Sequence, residues 1–205
     1  MPRMNGYKLC KTIKEDINIS HIPVILLTAR DDRQSQISGY KNGADGYLSK
    51  PFEVEMLMEL IRNRLKNREY TKKRYLNAGL IPTPEESTIS LTDETFLIKL
   101  NSIIQENIEN SNLGIQFICQ EVGLGRSSLY NKLKALTGMG ANEYISKLRI
   151  EKAITLISGT DMPFSEIAEK TGFTTPSYFS TAFKQYTGET PSQYKERKKK
   201  GLADK

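Results

Sequence analysis

Residues 118–144 and 167–194 of this 205-residue chain follow one pattern, and this repeat constrains the fold more than any other feature. Ile118 and Gly123 of the first copy match Ile167 and Gly172 of the second at an offset of 49. Further matches at an offset of 50 are Leu129 with Phe179, Leu133 with Phe183, Lys134 with Lys184, Leu136 with Tyr186, and Tyr144 with Tyr194. Two copies are too few for a solenoid, so the repeat predicts a pair of similar helical units.

Each copy has the pattern of a short helix, a turn that contains glycine, and a second helix that ends at glycine. This is the order of elements in a helix-turn-helix motif. The second helix of each copy has an apolar face, formed by Leu129, Leu133 and Leu136 in the first copy and by Phe179, Ala182, Phe183 and Tyr186 in the second. The opposite faces carry Ser127, Asn131 and Lys134, and Ser177, Thr181 and Lys184.

These opposite faces are small, polar and basic, which suits entry into a DNA major groove about 12 Å wide. An ordinary solvated helix face is the alternative, and for one copy alone it is the better explanation. Two copies with matched faces favour DNA. The segment 142–158 between them predicts a strong helix that would hold the two units apart. Successive major-groove faces require a separation of roughly 34 Å.

The whole chain divides into three segments. Residues 1–77 alternate helix and strand patterns, with Asn5 and Asp32 as helix caps, a left-handed turn at Asn42-Gly43, and a buried strand at 24–27. Residues 78–91 contain two prolines and a Ser/Thr cluster, which is typical of a linker. Residues 92–205 have helical patterns throughout, and Thr92 is the predicted first cap. The predicted fold is an α/β part, with two parallel strands and three helices, followed by an all-α domain with two helix-turn-helix units.

The composition argues against several classes of function. Net charge is +6, and a basic chain either binds nucleic acid or carries solvated basic faces. One histidine and two distant cysteines, Cys10 and Cys119, give no catalytic pair and no metal-ligand spacing. We therefore expect no catalytic residue, no bound metal and no cofactor. No apolar run reaches the ~18 residues of a membrane span, so no membrane contact is expected either.

The segment 92–205 resembles the DNA-binding domain of AraC-family transcription regulators, whose signature is closely matched by "IAEKTGFTTPSYFSTAFKQYTGETPSQY" at 167–194. The resemblance implies seven helices, double-stranded DNA as partner, and recognition helices at about Arg126–Leu136 and Pro176–Tyr186. It also implies the base contacts, which are Arg126, Ser127, Tyr130 and Asn131 in the first helix and Pro176, Ser177, Tyr178 and Thr181 in the second. Lys134 and Lys184 would contact phosphates. The chain departs from the family at two places. At Gly125 the family commonly has a serine that caps the first recognition helix, and at Gly140-Ala141 it often has Ser-Pro.

Arg126 has two possible roles that the sequence leaves open. A bidentate Arg–guanine contact discriminates between bases by about 1–3 kcal/mol. A contact with phosphate would position the protein without reading sequence.

The segment 1–77 resembles the second half of a response-regulator receiver domain, through "MPRMNG", "VILLTAR" and "GYLSKPF" in the family's order. The resemblance places Thr28 at the switch hydroxyl, Tyr47 at the switch aromatic and Lys50 at the phosphate-binding lysine, with a cis bond before Pro51. The family's phospho-acceptor aspartate would precede Met1. We therefore expect no phospho-acceptor in this chain, and Mg²⁺ only in an intact receiver. Asp31 and Asp32 are expected to cap a helix rather than to replace the acceptor.

A receiver without its first strands leaves the strand at 24–27 with an open edge, which invites pairing with another chain. We expect a homodimer through this strand, irregular collapse, or partial disorder. The arrangement resembles hybrid two-component regulators, in which sensor, kinase, receiver and DNA-binding domain share one polypeptide. The chain would then be cytoplasmic, with a parent anchored in the inner membrane. The alternatives are a free-standing response regulator with the same output domain, and a protein-interaction or dimerisation module that never touches DNA.

Overall fold

The computed structural model describes residues 4–29, 32–78 and 90–203, which are mostly helical with one small sheet. The chain forms two compact units. The first comprises Met1–Lys99 and Ser127–Gly138, and the second comprises Leu100–Arg126 and Met139–Lys205. The predicted linker at 78–91 lies almost wholly outside the described residues. None of the described helices is both long and apolar enough to cross a membrane.

The first unit begins with alternating helices and strands. Their order is α1 (Gly6–Glu15), β1 (Ile25–Thr28), α2 (Arg33–Lys41), β2 (Gly46–Ser49) and α3 (Val54–Ala78). The two strands are parallel, and Ile25 pairs with Gly46 while Thr28 pairs with Ser49. This confirms the predicted α/β pattern and the parallel strands. The prediction of a buried strand at 24–27 was wrong, because β1 is only partly buried and the Leu27 side chain is 42% exposed. An apolar run indicates a strand but does not show what covers its two faces.

The predicted caps of the first two helices are present. The Asn5 side chain accepts a hydrogen bond from the Lys8 amide, and the Asp32 side chain accepts one from the Ser35 amide. Gly43 has φ of +84°, the left-handed conformation expected after α2. The Lys50-Pro51 bond is cis, as the receiver resemblance implied. Asp31 lies outside the described residues.

Lys14 joins α1 to the loops around the sheet. Its buried ammonium group lies 2.7 Å from the Asp45 carboxylate and donates hydrogen bonds to the carbonyl groups of Ser20 and Ile22. Asp45 also accepts a hydrogen bond of 2.7 Å from the Val24 amide, directly before β1. A buried ammonium group needs several such partners because desolvation opposes its charge.

Helix α4 (Leu91–Glu106) follows, and its predicted cap was wrong. Ser90, not Thr92, lies before the helix, and the Ser90 hydroxyl accepts a hydrogen bond of 3.2 Å from the Asp93 amide. The Thr92 hydroxyl instead donates to the Lys14 carbonyl at 2.9 Å. Both residues have the chemistry of a cap, and the long-range contact to α1 decides between them.

The first unit also contains α6 (Arg126–Thr137) from Ser127 onward, and a buried polar cluster holds this helix. The fully buried ammonium group of Lys132 forms an ion pair with Asp93 and lies 2.7 Å from the Ser20 hydroxyl. Ser20 donates a hydrogen bond of 2.7 Å to the same carboxylate. The Phe96 ring lies 5.1 Å from the ammonium group. We call Ser20, Asp93 and Lys132 the buried triad.

The second unit contains α5 (Ile115–Val122), α7 (Ala141–Gly159), α8 (Phe164–Lys170), α9 (Pro176–Thr187) and α10 (Pro191–Ala203). Its core is formed where α7 to α10 meet, and the residues there are Ile150, Ala153, Ile157, Ile167, Ala168, Phe173, Phe179, Phe183 and Tyr194. With α4 and α6, the described part of residues 92–205 holds seven helices, which agrees with the predicted number.

Glycines with positive φ follow the first and second helix of each repeat: they are Gly123, Gly138, Gly172 and Gly188. These left-handed positions explain the paired glycines of the sequence repeat, because an L-residue adopts this conformation at a cost. The surroundings differ between copies. A Cβ atom at Gly172 would lie 2.2 Å from the Ile108 carbonyl oxygen, whereas one at Gly123 would meet no heavy atom of the described chain within 4 Å.

The Asp93→Asn variant is expected to lower the free energy of unfolding by about 3–5 kcal/mol, because it leaves the Lys132 charge buried without a counterion. Urea denaturation followed by circular dichroism measures this. Glu15→Gln is the matched control, since it breaks the exposed Lys11–Glu15 pair and should cost less than about 1 kcal/mol. Equal costs for the two variants would contradict the stabilising role of the buried triad.

The Gly172→Ala variant is expected to be more destabilising than Gly123→Ala, although both residues have nearly the same φ. Gly123→Ala should cost about 1–2 kcal/mol for the left-handed backbone alone. Overpacking against Ile108 should add a further 1–3 kcal/mol or so at Gly172. Thermal and urea unfolding of the two variants measure the difference, and equal stabilities would show that the chain relaxes around the new methyl group.

Candidate nucleic-acid interface

Helix α6 has the two faces that the sequence predicted. Leu129, Leu133 and Leu136 are at most 5% exposed, and they anchor the helix. Ser127, Asn131 and Lys134 are exposed on the other side. The helix contains no aspartate or glutamate, so no acidic side chain of its own repels an approaching phosphate.

Lys132 is a basic residue of α6 that does not belong to the exposed face. It is fully buried in the triad, and burial lowers the pKa of its ammonium group while Asp93 opposes that shift. Sequence reasoning missed this residue. Its position three residues after Leu129 and four before Leu136 was the available signal, since it places Lys132 on the apolar face.

Helix α9 also has an exposed polar face opposite a buried face, and its buried face is formed by aromatic residues. Phe179 and Phe183 are fully buried, and their rings lie 5.7 Å apart between centroids. Thr175 caps the helix by accepting a hydrogen bond from the Tyr178 amide, and Pro176 occupies the first turn. Exposed Ser177 begins the outward face, and α9 also lacks acidic residues.

The prediction that Tyr186 points into the core was wrong. Tyr186 is 40% exposed, and its hydroxyl lies 3.2 Å from the Glu151 carboxylate of α7. Burial and the neighbouring Glu151 charge both raise the pKa of Tyr186, so this phenol stays protonated and donates the hydrogen bond. A tyrosine on the apolar side of the helix can be buried in the core or partly exposed with its hydroxyl at the surface. The hydrogen bond to Glu151 explains why Tyr186 is partly exposed.

All ten predicted DNA-contact residues are exposed in the structure. They are Arg126, Ser127, Tyr130, Asn131 and Lys134 on α6, and Pro176, Ser177, Tyr178, Thr181 and Lys184 on α9. Each helix therefore brings together its own five residues on its accessible side. Their contacts with DNA, whether to bases or to phosphates, stay a prediction.

Three of these ten side chains have partners that restrict their orientation: Arg126 and Thr181 form hydrogen bonds, and the Tyr178 ring packs against Phe173 at 5.7 Å between centroids. The Arg126 guanidinium group donates a hydrogen bond of 3.3 Å to the Gln116 side chain of α5. The Thr181 hydroxyl donates to the Ser177 carbonyl at 3.1 Å, which leaves its oxygen able to accept. Both residues keep hydrogen-bonding capacity on the exposed side.

The exposed face of α6 borders a cleft whose opposite wall is α3. Tyr130, Asn131, Lys134 and Ala135 line one side, and Leu65, Lys66, Arg68, Glu69 and Lys72 line the other. The cleft thus carries four basic side chains and one acidic side chain. A polyanion that reached Asn131 would also meet the basic groups of α3.

Two of the three predicted receiver positions, Thr28 and Lys50, lie where the parallel strands end, and Tyr47 lies within β2 opposite Leu26. Thr28 ends β1, and the Lys50 amide donates a hydrogen bond of 2.6 Å to the Thr28 carbonyl. The Lys50 side chain is exposed. Tyr47 is buried, with its hydroxyl 3.4 Å from that of Tyr7, and burial together with this contact raises the pKa of Tyr47 to about 12. Tyr47 therefore remains a neutral hydroxyl at physiological pH.

Asp32 is the described carboxylate nearest in sequence to Thr28, and it is occupied as a helix cap. One oxygen accepts from the Ser35 amide at 2.8 Å and the other from the Ser35 hydroxyl at 2.7 Å. The predicted capping role is confirmed for this residue.

Two family models match the chain. The response regulator receiver domain matches residues 1–62, and a helix-turn-helix domain of AraC type matches residues 118–197. The two matched segments contain the strand ends with Thr28 and Lys50 and the exposed faces of α6 and α9.

The chain is 43% identical over 197 residues to histidine kinase P4 of Formosa agariphila, a match that covers 96% of this chain and 14% of that protein. It is 28% identical over 154 residues to the probable transcriptional regulator ycf29 of Pyropia yezoensis, which covers 70% of this chain and 69% of that protein. The chain thus spans about a seventh of the Formosa protein.

Among solved structures, the C-terminal domain of AraT, a response regulator from Geobacillus stearothermophilus, is 31% identical. That match covers 50% of this chain and 84% of the AraT domain, with a TM-score of 0.47. The C-terminal domain of the two-component response regulator yesN from Fusobacterium nucleatum is 32% identical, covers 47% of this chain and 93% of that domain, and has a TM-score of 0.44.

Proposed function

We propose that this chain, which carries an AraC-type helix-turn-helix domain and a response-regulator receiver sequence, is the DNA-binding output part of a two-component transcription regulator. One observation carries the proposal. Two helices, α6 and α9, each present an acid-free, exposed polar face that ends in a lysine, over a firmly buried apolar face. In this proposal both helices of one molecule read successive major-groove faces of one duplex.

The side chains on these faces suit different parts of DNA. Asn131 has the amide that pairs bidentately with adenine, and Ser127, Ser177 and Thr181 carry hydroxyls that donate to or accept from base edges. Tyr130 and Tyr178 are about half exposed and bring aromatic surface beside the polar groups. Lys134 and Lys184, further along each helix, are exposed and would contact phosphates in this proposal.

The cleft between α6 and α3 supports the same function. Lys66 and Arg68 on its far wall add positive charge beside Asn131 and Lys134, whereas Lys72 is paired with Glu69 at 2.8 Å. Backbone phosphates supply most of the affinity of proteins for DNA, so additional cations beside a reading helix raise affinity without changing sequence preference.

We further propose that the parent protein is a hybrid regulator, in which a kinase and this output part share one polypeptide. The similarity to a histidine kinase over a small share of its length supports this arrangement. A homodimer through β1 is part of the proposal, because β1 pairs only with β2 among the described residues and has one free edge.

Binding to duplex DNA is expected to weaken steeply with salt, with a slope that falls by about 0.9 for each phosphate contact removed. Lys134→Ala and Lys184→Ala should each reduce the slope by about this amount. Lys11→Ala is the control, since Lys11 is exposed in α1, is paired with Glu15 and belongs to neither recognition helix. Fluorescence anisotropy across a salt series measures the slopes. Affinity that is weak and independent of salt would instead favour a protein-interaction module.

The Arg126→Ala variant separates the two roles of this residue. If Arg126 reads guanine, the variant is expected to lose about 1–3 kcal/mol and to tolerate any base at one operator position. Binding to a duplex selected from a random pool, and to its single-base variants, measures this. A uniform loss at every position would assign Arg126 to phosphate. Gln116→Ala is the companion variant, because it removes the partner of Arg126 and keeps the charge.

A further inference from the structure

A cavity of about 60 Å³ lies within the first unit, away from Thr28 and Lys50. Its walls come from α1, α3, α6 and the loops before β1, β2 and α4. The lining residues central to its chemistry are Lys14, His21, Asp45, Arg64, Arg68 and Asp93. One water needs about 10–15 Å³ on the same measure, so the cavity has room for a small polyatomic ion.

The two carboxylates of the cavity already have cationic partners. Asp45 lies 2.7 Å from the Lys14 ammonium group, and Asp93 is paired with Lys132 in the buried triad. Each of these carboxylates is therefore compensated by its own lysine. What remains facing the cavity is positive or neutral.

Arg64 and Arg68 supply the uncompensated charge. They are spaced by four residues on α3, so both guanidinium groups lie on the same side of this helix. Both side chains are half-buried, and neither forms an ion pair or hydrogen bond within the parts of the chain that the structure describes. Like charges at this spacing repel one another, and a bound anion would remove that repulsion.

His21 lines the same cavity and lies among the same charges. Its Nδ1 atom is inaccessible to solvent and has no hydrogen-bond partner among the described residues. Burial lowers the pKa of His21, and the charges of Lys132, Arg68 and Lys14 lower it further, against the opposing effect of Asp93. An imidazole in this position gains a partner, and is protonated more readily, once an anion neutralises the surrounding cations.

We propose that this cavity binds a small free oxyanion of the phosphate or sulfate type, held by Arg64, Arg68 and His21. Arginine pairs make bidentate contacts with tetrahedral oxyanions, and the imidazole supplies a third donor. Ala135 and Leu136 of α6 line the cavity as well, so the ion would bind against the buried side of the first recognition helix. Arg68 also lines the cleft beside α6, whereas Arg64 and His21 line this cavity and not that cleft, so the two proposed sites share one residue.

His21 is the sole histidine of the chain, so its ring protons report on this cavity without assignment of other residues. A pH titration by proton NMR is run on the whole chain in chloride, phosphate and sulfate at equal ionic strength. The pKa of His21 is expected to rise in phosphate and sulfate relative to chloride. The midpoint of thermal unfolding is expected to rise with phosphate as well. Identical titrations in all three salts would overturn the proposal.

The Arg64→Ala/Arg68→Ala double variant should lose both responses to phosphate. Arg62→Ala is the matched control, because Arg62 lies on the same helix, pairs with Glu59 and does not line the cavity. Responses that persist in the double variant would assign them to general screening and contradict the site. If the double variant does not fold, the comparison of the three salts on the unaltered chain still tests whether the cavity binds the anion. A His21 shift with duplex DNA in chloride alone would assign the cavity to the DNA interface and overturn the proposal.

Discussion

The buried triad of Ser20, Asp93 and Lys132 is the interaction on which the first unit depends. It connects three parts of the chain that are far apart in sequence: the loop before β1, the first turn of α4, and α6. An ion pair so fully removed from water contributes less to net stability than its Coulomb energy suggests, because desolvation opposes it. Its stronger effect is on specificity, since any other packing of α6 here would bury an unpaired charge.

The two copies of the repeat support their second helices, α6 and α9, in chemically different ways. Helix α6 uses three leucines and one buried lysine. Helix α9 uses a series of aromatic rings, in which Phe173, Phe179, Phe183 and Tyr194 follow one another at centroid distances of 5.4 to 5.7 Å. Edge-to-face and tilted rings at such distances pack favourably without any charge to satisfy. The same outward pattern is therefore supported by an inner face that includes one buried charge in α6 and by a purely apolar inner face in α9.

The sequence alone was enough to predict features that depend on local spacing. Apolar periodicity predicted the parallel pair of strands and the exposed faces of α6 and α9. Single residues with strong local preferences predicted the cap at Asn5 and the glycine turn at Gly123. What it did not reveal depends on partners distant in sequence. Thr92 contacts Lys14, Tyr186 contacts Glu151, and Lys132 contacts Asp93, and in each case the local pattern allowed more than one position.

The buried aromatic face of α9 also has an evolutionary consequence. Since Phe179 and Phe183 secure the helix from one side only, Ser177 and Thr181 on the other side carry no share of that packing. Under the proposed function, changes at these two positions alter base preference while the fold is retained. Helix α6 is less permissive, because its inward side must keep one lysine aligned with a distant carboxylate whatever its outward side becomes. If both helices contact DNA as proposed, divergence of operator recognition is expected to be concentrated in the second copy.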